Sequence, residues 1–278
     1  MKSAKLIFCP NSRYKRMKNI IPNILNLLDS NNIETSITFP GNKNIEAFSC
    51  EIENSRSELL IVAGGDDILH QIVNIVSKKE KRPKIAILPI GERNDFANAL
   101  GIPSNIKDAF QNILLQKSKI IDVGKLEEEY FINYCGVGFI TSSNYKKMLF
   151  DVAANLLNPI SSNMKIIIDD DILIEEELAA ILVLNRNFFI RNLEQHPTLN
   201  DGLLDMIFFK KSCTKDYFKS LYNLHRGEVS YDSNVIYRRA HKLNIISDET
   251  MDYFIDGKRG TFISKEINVL QSHLEFLC

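Results

Sequence analysis

Two short segments of the chain carry residue types suited to holding phosphate. The first, Leu59-Leu60-Ile61-Val62-Ala63-Gly64-Gly65-Asp66-Asp67, runs an apolar strand pattern into two glycines and two acids, immediately ahead of a helical pattern. At the carboxyl end of a buried strand, glycines let backbone N–H groups approach an anion, and the following helix N-terminus adds a favourable dipole. The same residues also suit a plain tight turn in which Asp66 or Asp67 caps the helix. The second segment, LPIGERNDFANALGIP from Leu88 to Pro103, again sets a glycine turn at Gly91 between a strand and a short helix. There Asn94 or Asp95 reads as an N-cap, and Gly101 with Pro103 as a helix stop. Both turns are expected to face one cleft.

The other acid-glycine pairs have simpler readings. Asp256-Gly257 lies where a hairpin turn would join MDYFI to a following strand, and Asp201-Gly202 where a turn would enter LLDMIFF. Asp122, in IIDVGK, reads as a strand-end acid. No GxSxG elbow occurs, and the histidines (His70, His196, His225, His241, His273) have no metal-ligand spacing. The cysteines (Cys9, Cys50, Cys135, Cys213, Cys278) are scattered without a CxxC pair, so neither disulfides nor zinc are expected and a reducing cytoplasm fits.

These segments must be positioned by a chain of 278 residues, which suits two lobes with separate cores. With 45% hydrophobic and 25% charged residues the composition is that of an ordinary globular protein. The net charge of -1 provides no field for nucleic acid. The apolar run Leu6 to Cys9 stops at Pro10, too short for a signal core or a membrane span, and no other span is found. Transient contact with a membrane surface stays compatible with this, and a homodimer stays open.

From Ala4 to about Pro89 the pattern alternates strand and helix: AKLIFC, a helix over 15–29, IETSITF, a polar helix near 44–54, ELLIVAGG, a helix over 67–77, and KIAILP. The continuous apolar runs LLIVA and IAIL are those of strands covered on both faces, which predicts a parallel, doubly wound α/β sheet. A further helix is read over 105–116, then two strands joined through Glu127-Glu128-Glu129. After a helical stretch over 142–157, strand patterns dominate: MKIIID, ELAAILVLN, LLDMIFF, HKLNIIS, MDYFID and EINVLQ, with one helix over 214–225. The expected organisation is an α/β domain over 1–124 and a β-rich, sandwich-like domain over 125–278, with a cleft between them.

GGDDILHQIVN and LPIGERNDFANALGIP resemble, in order and separation, the paired GGDGTLNEVVN and PLGTANDFARALGIP signatures of the diacylglycerol-kinase-like lipid kinases. The likeness continues into IIDVGKL, FINYCGVGF, NDGLLDMIFFKK and YFIDGK, so it covers most of the chain. NAD kinases share a GGDG-type loop but not the longer second signature. The resemblance implies a nucleotide-binding α/β lobe and a larger β-rich lobe with ATP bound between them, Mg2+, and a lipid hydroxyl accepting the γ-phosphoryl group, with diacylglycerol as the leading acceptor and sphingoid bases, ceramide-like lipids or an unrelated alcohol behind it. It places Gly64, Gly65 and Asp66 in the first nucleotide loop, and Gly91, Asn94 and Asp95 in the second. Asp66 and Asp122 fall where acids organise magnesium near the reacting phosphate. Thr198, Asp201 and Leu203 fall on a structural magnesium site.

Four positions depart from the pattern. Asp67 stands for the family's third glycine, Ile68 for a threonine, and Glu92 for a threonine that contacts nucleotide. Lys258 stands for the glutamate proposed as general base, and a protonated ammonium cannot accept a proton. Lys258 is instead expected to pair with Asp66 or Asp122. Two functions follow: a slow ATP- and Mg-dependent lipid kinase, or a non-catalytic relative that binds a lipid, another small molecule or a protein.

Overall fold

The computed structural model describes residues 3–9, 20–40, 45–92, 94–138, 162–185, 199–226, 232–256 and 258–278. The chain divides into two compact units, Met1–Ile121 with His273–Cys278, and Asp122–Ser272.

The first unit alternates strand and helix: β1 (Ser3–Phe8), α1 (Ile20–Ser30), β2 (Glu34–Thr38), α2 (Ile45–Glu53), β3 (Leu59–Gly64), α3 (Asp66–Val76), β4 (Lys84–Pro89), α4 (Asp95–Leu100) and α5 (Ile106–Leu115). The strands pair in parallel in the order β2-β1-β3-β4. All of β3 is buried, and β1 and β4 expose only their first residue, as their unbroken apolar runs require. The strand order reverses between β1 and β3. In open α/β sheets that is where ligands gather, at the carboxyl ends of the strands. Gly64 ends β3 at this edge, and the Cys9 amide after β1 donates to Ala63 O at 3.0 Å.

The end of the chain closes this sheet. In β13 (Lys258–Leu277), Phe276 and Leu277 pair in parallel with Ile85 and Ala86 of β4. Glu275 reaches Lys84 Nζ at 2.7 Å, and the Cys278 amide donates to Lys117 O at 2.9 Å. A single boundary near residue 124 was expected; in the structure the division falls at 121/122 and the last six residues rejoin the first unit.

The second unit is mainly antiparallel. It takes in the end of β5 (Ser118–Leu126), then β6 (Glu129–Phe131), β7 (Tyr134–Gly138), β8 (Ser162–Ile168), β9 (Ile172–Leu184), β10 (Leu204–Lys210), α6 (Thr214–Arg226), β11 (Val235–Ala240), β12 (Lys242–Ile255) and most of β13. The first half of β9 pairs with β8 and its second half with β7 and β10. Likewise β12 pairs with β8 at one end and β7 at the other, so β8, β9, β7 and β12 form a closed circuit of pairing.

Alternation along the strands builds two cores. Ile181, Val183, Met206 and Phe208 point into one with Ile166 and Ile245, while Leu182, Leu184, Ile207 and Phe209 point into another with Tyr217 and Leu224 of α6. Both faces being buried explains why ELAAILVLN and LLDMIFF read as apolar without a break.

HKLNIIS and MDYFID, expected as two strands, are one strand β12 with an irregularity between Ile246 and Met251. The strand β11 was not anticipated. Its Arg238 and Arg239 interrupt the apolar pattern, and it is half-exposed along most of its length. The helix expected over 142–157 lies outside the described residues.

Candidate functional site

In the first unit the two glycine turns touch. A Cβ at Gly65 would sit 3.0 Å from Gly91 Cα, and one at Gly91 would run into Gly65 Cα and the Asn94 carboxamide. Only backbone fits between β3–α3 and β4–α4. Asn94 holds the second turn: it is left-handed (φ 54), its Oδ1 accepts from Gly91 N at 2.9 Å, and its Nδ2 donates to Gly91 O at 3.0 Å. Asn94 is the residue preceding α4, as expected of an N-cap, but its side chain caps nothing.

The cap of α4 comes from the other loop. Asp66 accepts from Asp95 N at 3.0 Å and from Phe96 N at 3.1 Å, so its carboxylate satisfies the first amides of a helix 29 residues further on. Its own helix α3 begins after Gly65 with no side-chain cap. Gly101 ends α4 at φ 78 with its amide on Ala97 O and Asn98 O, as read from the sequence. Thus Gly64, Gly65, Asp66, Gly91, Asn94 and Asp95 belong to one hydrogen-bonded pair of loops.

The two acids unlike the family signature differ from Asp66 in setting. Asp67 in the first turn of α3 and Glu92 in the second loop are both exposed. Asp67 is close enough to the half-buried Cys9 thiol to push its pKa upward, after burial itself has done so. Ile68 is buried, and its Cγ2 occupies the space a Cβ on Gly64 would need.

In the second unit the acids are consumed by protein donors. Asp122 is 3% exposed; its Oδ2 accepts from Gly202 N at 2.6 Å and its Oδ1 from Ser272 N at 2.7 Å. Burial raises its pKa, the two amides oppose that, and the Asp201 charge adds to the rise. Asp201 Oδ1 accepts from Leu203 N at 3.0 Å, and its Oδ2 pairs with the Arg239 guanidinium. Arg239 Nε also lies 3.2 Å from Asp205, which accepts from Tyr237 OH. Thr198 lies outside the described residues.

Asp256 is buried and left-handed (φ 41), and its carboxylate takes the amides of Ile132 at 2.8 Å, Asn133 at 3.1 Å and Tyr134 at 3.0 Å. It is a brace between the β12 turn and the β6–β7 corner, more than the simple hairpin turn expected. Lys258 is exposed at the start of β13. Within the second unit, Lys258 makes no ion pair with Asp122, whose oxygens take the Gly202 and Ser272 amides.

These placements decide which acids suit a magnesium ion. Asp66 is half-buried at the carboxyl end of β3, with Asp95 N on one oxygen and Phe96 N on the other, so it suits an outer ligand that would hold a metal's waters. Asp122 is buried with one amide on each oxygen, and Asp201 meets Leu203 N and the Arg239 guanidinium. Among the described residues no three His, Cys, Asp or Glu side chains converge to hold a metal. Sequence reading missed Asp205, Tyr237 and Arg239; two arginines within the strand-like VIYRRA were the available signal.

A family model for the diacylglycerol kinase catalytic domain matches residues 3–126. The chain is 30% identical over 292 residues to a protein named diacylglycerol kinase from Staphylococcus carnosus (strain TM300), covering 99% of this chain and 94% of that one. It is 29% identical over 294 residues to one of the same name from Bacillus subtilis (strain 168), covering 99% and 95%. A crystal structure of a diacylglycerol kinase from Bacillus anthracis str. Sterne superposes with a TM-score of 0.73 at 22% identity, over 99% of this chain and 96% of that one, which speaks for the fold. With the likeness running end to end and the paired glycine loops folded against each other, this chain belongs to the diacylglycerol kinase family.

Proposed function

We propose that this chain transfers the γ-phosphoryl group of ATP to a lipid hydroxyl of the diacylglycerol type, with Mg2+ as cofactor, at a low rate. The observation that carries this reading is the side-chain-free contact of Gly65 with Gly91, braced by Asn94 and tied by Asp66. Bare backbone at the carboxyl end of β3, ahead of α3, is what a polyphosphate needs for close approach.

The acceptor oxygen forms a bond to the γ-phosphorus, the bond from that phosphorus to the β–γ bridging oxygen breaks, and ADP departs. Such transfers pass through a loose transition state, so holding the reactants in line matters more than removing the proton. Gly64, Gly65 and Gly91 present the backbone against which the phosphates lie, and Asn94 keeps Gly91 in place. When bound with the nucleotide, Mg2+ would supply charge neutralisation to the phosphates, and Asp66 would be the residue that holds its waters. Asp122 acts as a positioning residue, fixing the turn at Gly202.

Low rate follows from three side chains. Lys258 cannot take the acceptor proton, which leaves to water instead. Asp67 and Glu92 add negative charge beside a polyanion, an effect that solvent and salt reduce because both are exposed. The acceptor is met during transient contact with a membrane surface; no helix among the described residues is long and apolar enough to cross one.

Calorimetric titration with ATP and Mg2+, followed by radiolabelled phosphate transfer to diacylglycerol vesicles, tests the proposal. Binding and slow transfer are expected, both lost in Gly91→Ala. Nucleotide binding without transfer to any lipid would turn the assignment to the non-catalytic reading.

A further inference from the structure

The likeness to lipid kinases implies a structural cation at Thr198, Asp201 and Leu203, yet the donors around Asp201 are already paired within the protein. We propose that in this chain the Arg239 guanidinium takes the place of that cation, so that the second unit is held at this corner without a metal.

Arg239 Nη2 pairs with Asp201 Oδ2, and Nε lies 3.2 Å from Asp205 Oδ1. One planar cation thus joins two carboxylates from the two ends of the turn into β10. The fork of the guanidinium suits this better than a point charge, because its donors diverge at fixed angles. Tyr237, two residues earlier on β11 and so on the same face, donates its hydroxyl to Asp205. Asp205 is 3% exposed, and a carboxylate that deep requires partners of this kind.

The turn itself is tied along residues 199–203 by bonds within the protein. Leu203 N donates to Asp201 Oδ1 at 3.0 Å and Gly202 N to Asp122 Oδ2 at 2.6 Å. His241 Nδ1 donates to Gly202 O at 2.7 Å, Asp122 N to Leu199 O at 2.7 Å, and Gln271 Nε2 to Asn200 O at 3.2 Å. Gly202 is left-handed (φ 75), the conformation that turns its amide and carbonyl to these two partners. A divalent ion at Asp201 would compete with Arg239 for its carboxylate and bring a second positive charge beside the guanidinium.

The test is thermal unfolding of the full chain without nucleotide, in EDTA and in millimolar MgCl2, for the native protein, Asp201→Asn and Arg239→Gln. The native protein is expected to melt at the same temperature, within about 1 °C, in both solutions. Arg239→Gln is expected to melt about 5 °C lower in EDTA and to recover part of that with MgCl2, as the exposed carboxylates accept the ion. A rise with MgCl2 in the native protein that Asp201→Asn abolishes overturns the proposal. A rise that survives in Asp201→Asn arises elsewhere and upholds it. If Arg239→Gln does not fold, the native and Asp201→Asn comparison decides alone.

Discussion

The glycine loops of the first unit and the acid-rich turns of the second treat their carboxylates in opposite ways. Around Gly65 and Gly91 the protein uses one half-buried acid, Asp66, to fasten two loops whose glycines meet backbone to backbone. Around Asp122, Asp205 and Asp256 the carboxylates are buried among amides, a hydroxyl and a guanidinium. Resemblance alone assigns catalytic or metal roles on both sides. The contrast teaches that such a role survives most readily where a carboxylate stays partly exposed, and that an acid buried among its donors has become part of the scaffold.

The largest expected effect tests the scaffold side. Asp256→Ala leaves three buried amides without their charged acceptor, and is expected to cost about 4 kcal/mol in denaturant unfolding. A loss below about 1 kcal/mol would show that water replaces the carboxylate, and would break the contrast. Next, Lys258→Glu restores a proton acceptor at an exposed position, and phosphate transfer to diacylglycerol should rise about a hundredfold with little change in melting temperature. An unchanged rate would mean that proton removal does not limit transfer.

A smaller gain is expected on the loop side. Asp67→Gly with Glu92→Thr should tighten ATP binding about tenfold at low salt and less at high salt, measured calorimetrically. Salt-independent tightening would point to loop shape rather than charge. The smallest effect concerns the end of the chain. His273 Nε2 donates to Ser77 O at 3.2 Å, and burial, with help from the Arg82 charge, lowers its pKa to about 4. The unfolded chain therefore binds a proton at His273 between about pH 6.5 and 4 that the folded chain refuses, so stability falls as pH drops through that window. His273→Gln should flatten this part of the melting profile relative to the native protein.

Much of the first unit was legible in the sequence because its signals are local. LLIVAGG and KIAILP announce buried parallel strands by unbroken apolar runs, and Gly101 with Pro103 announces the end of α4. The second unit was legible in its strong strands but not in β11, whose arginines break the apolar pattern, nor in the continuity of β12 across its irregularity. The return of 273–278 to the first unit was equally hidden, since a strand carries no mark of which sheet it will join.

The sequence by itself determined the family, the two glycine loops and the alternation that builds two cores on the faces of β9 and β10. These rest on residue type and short spacing, which strand and helix geometry translate directly into position. Only the tertiary structure decided what each acid does. Asp122 meets Ser272 across 150 residues, Asp256 meets Ile132 across 124, and Asp201 meets Arg239 across 38. A carboxylate takes whichever donor the folded chain brings within about 3 Å, and burial then makes that choice expensive to undo.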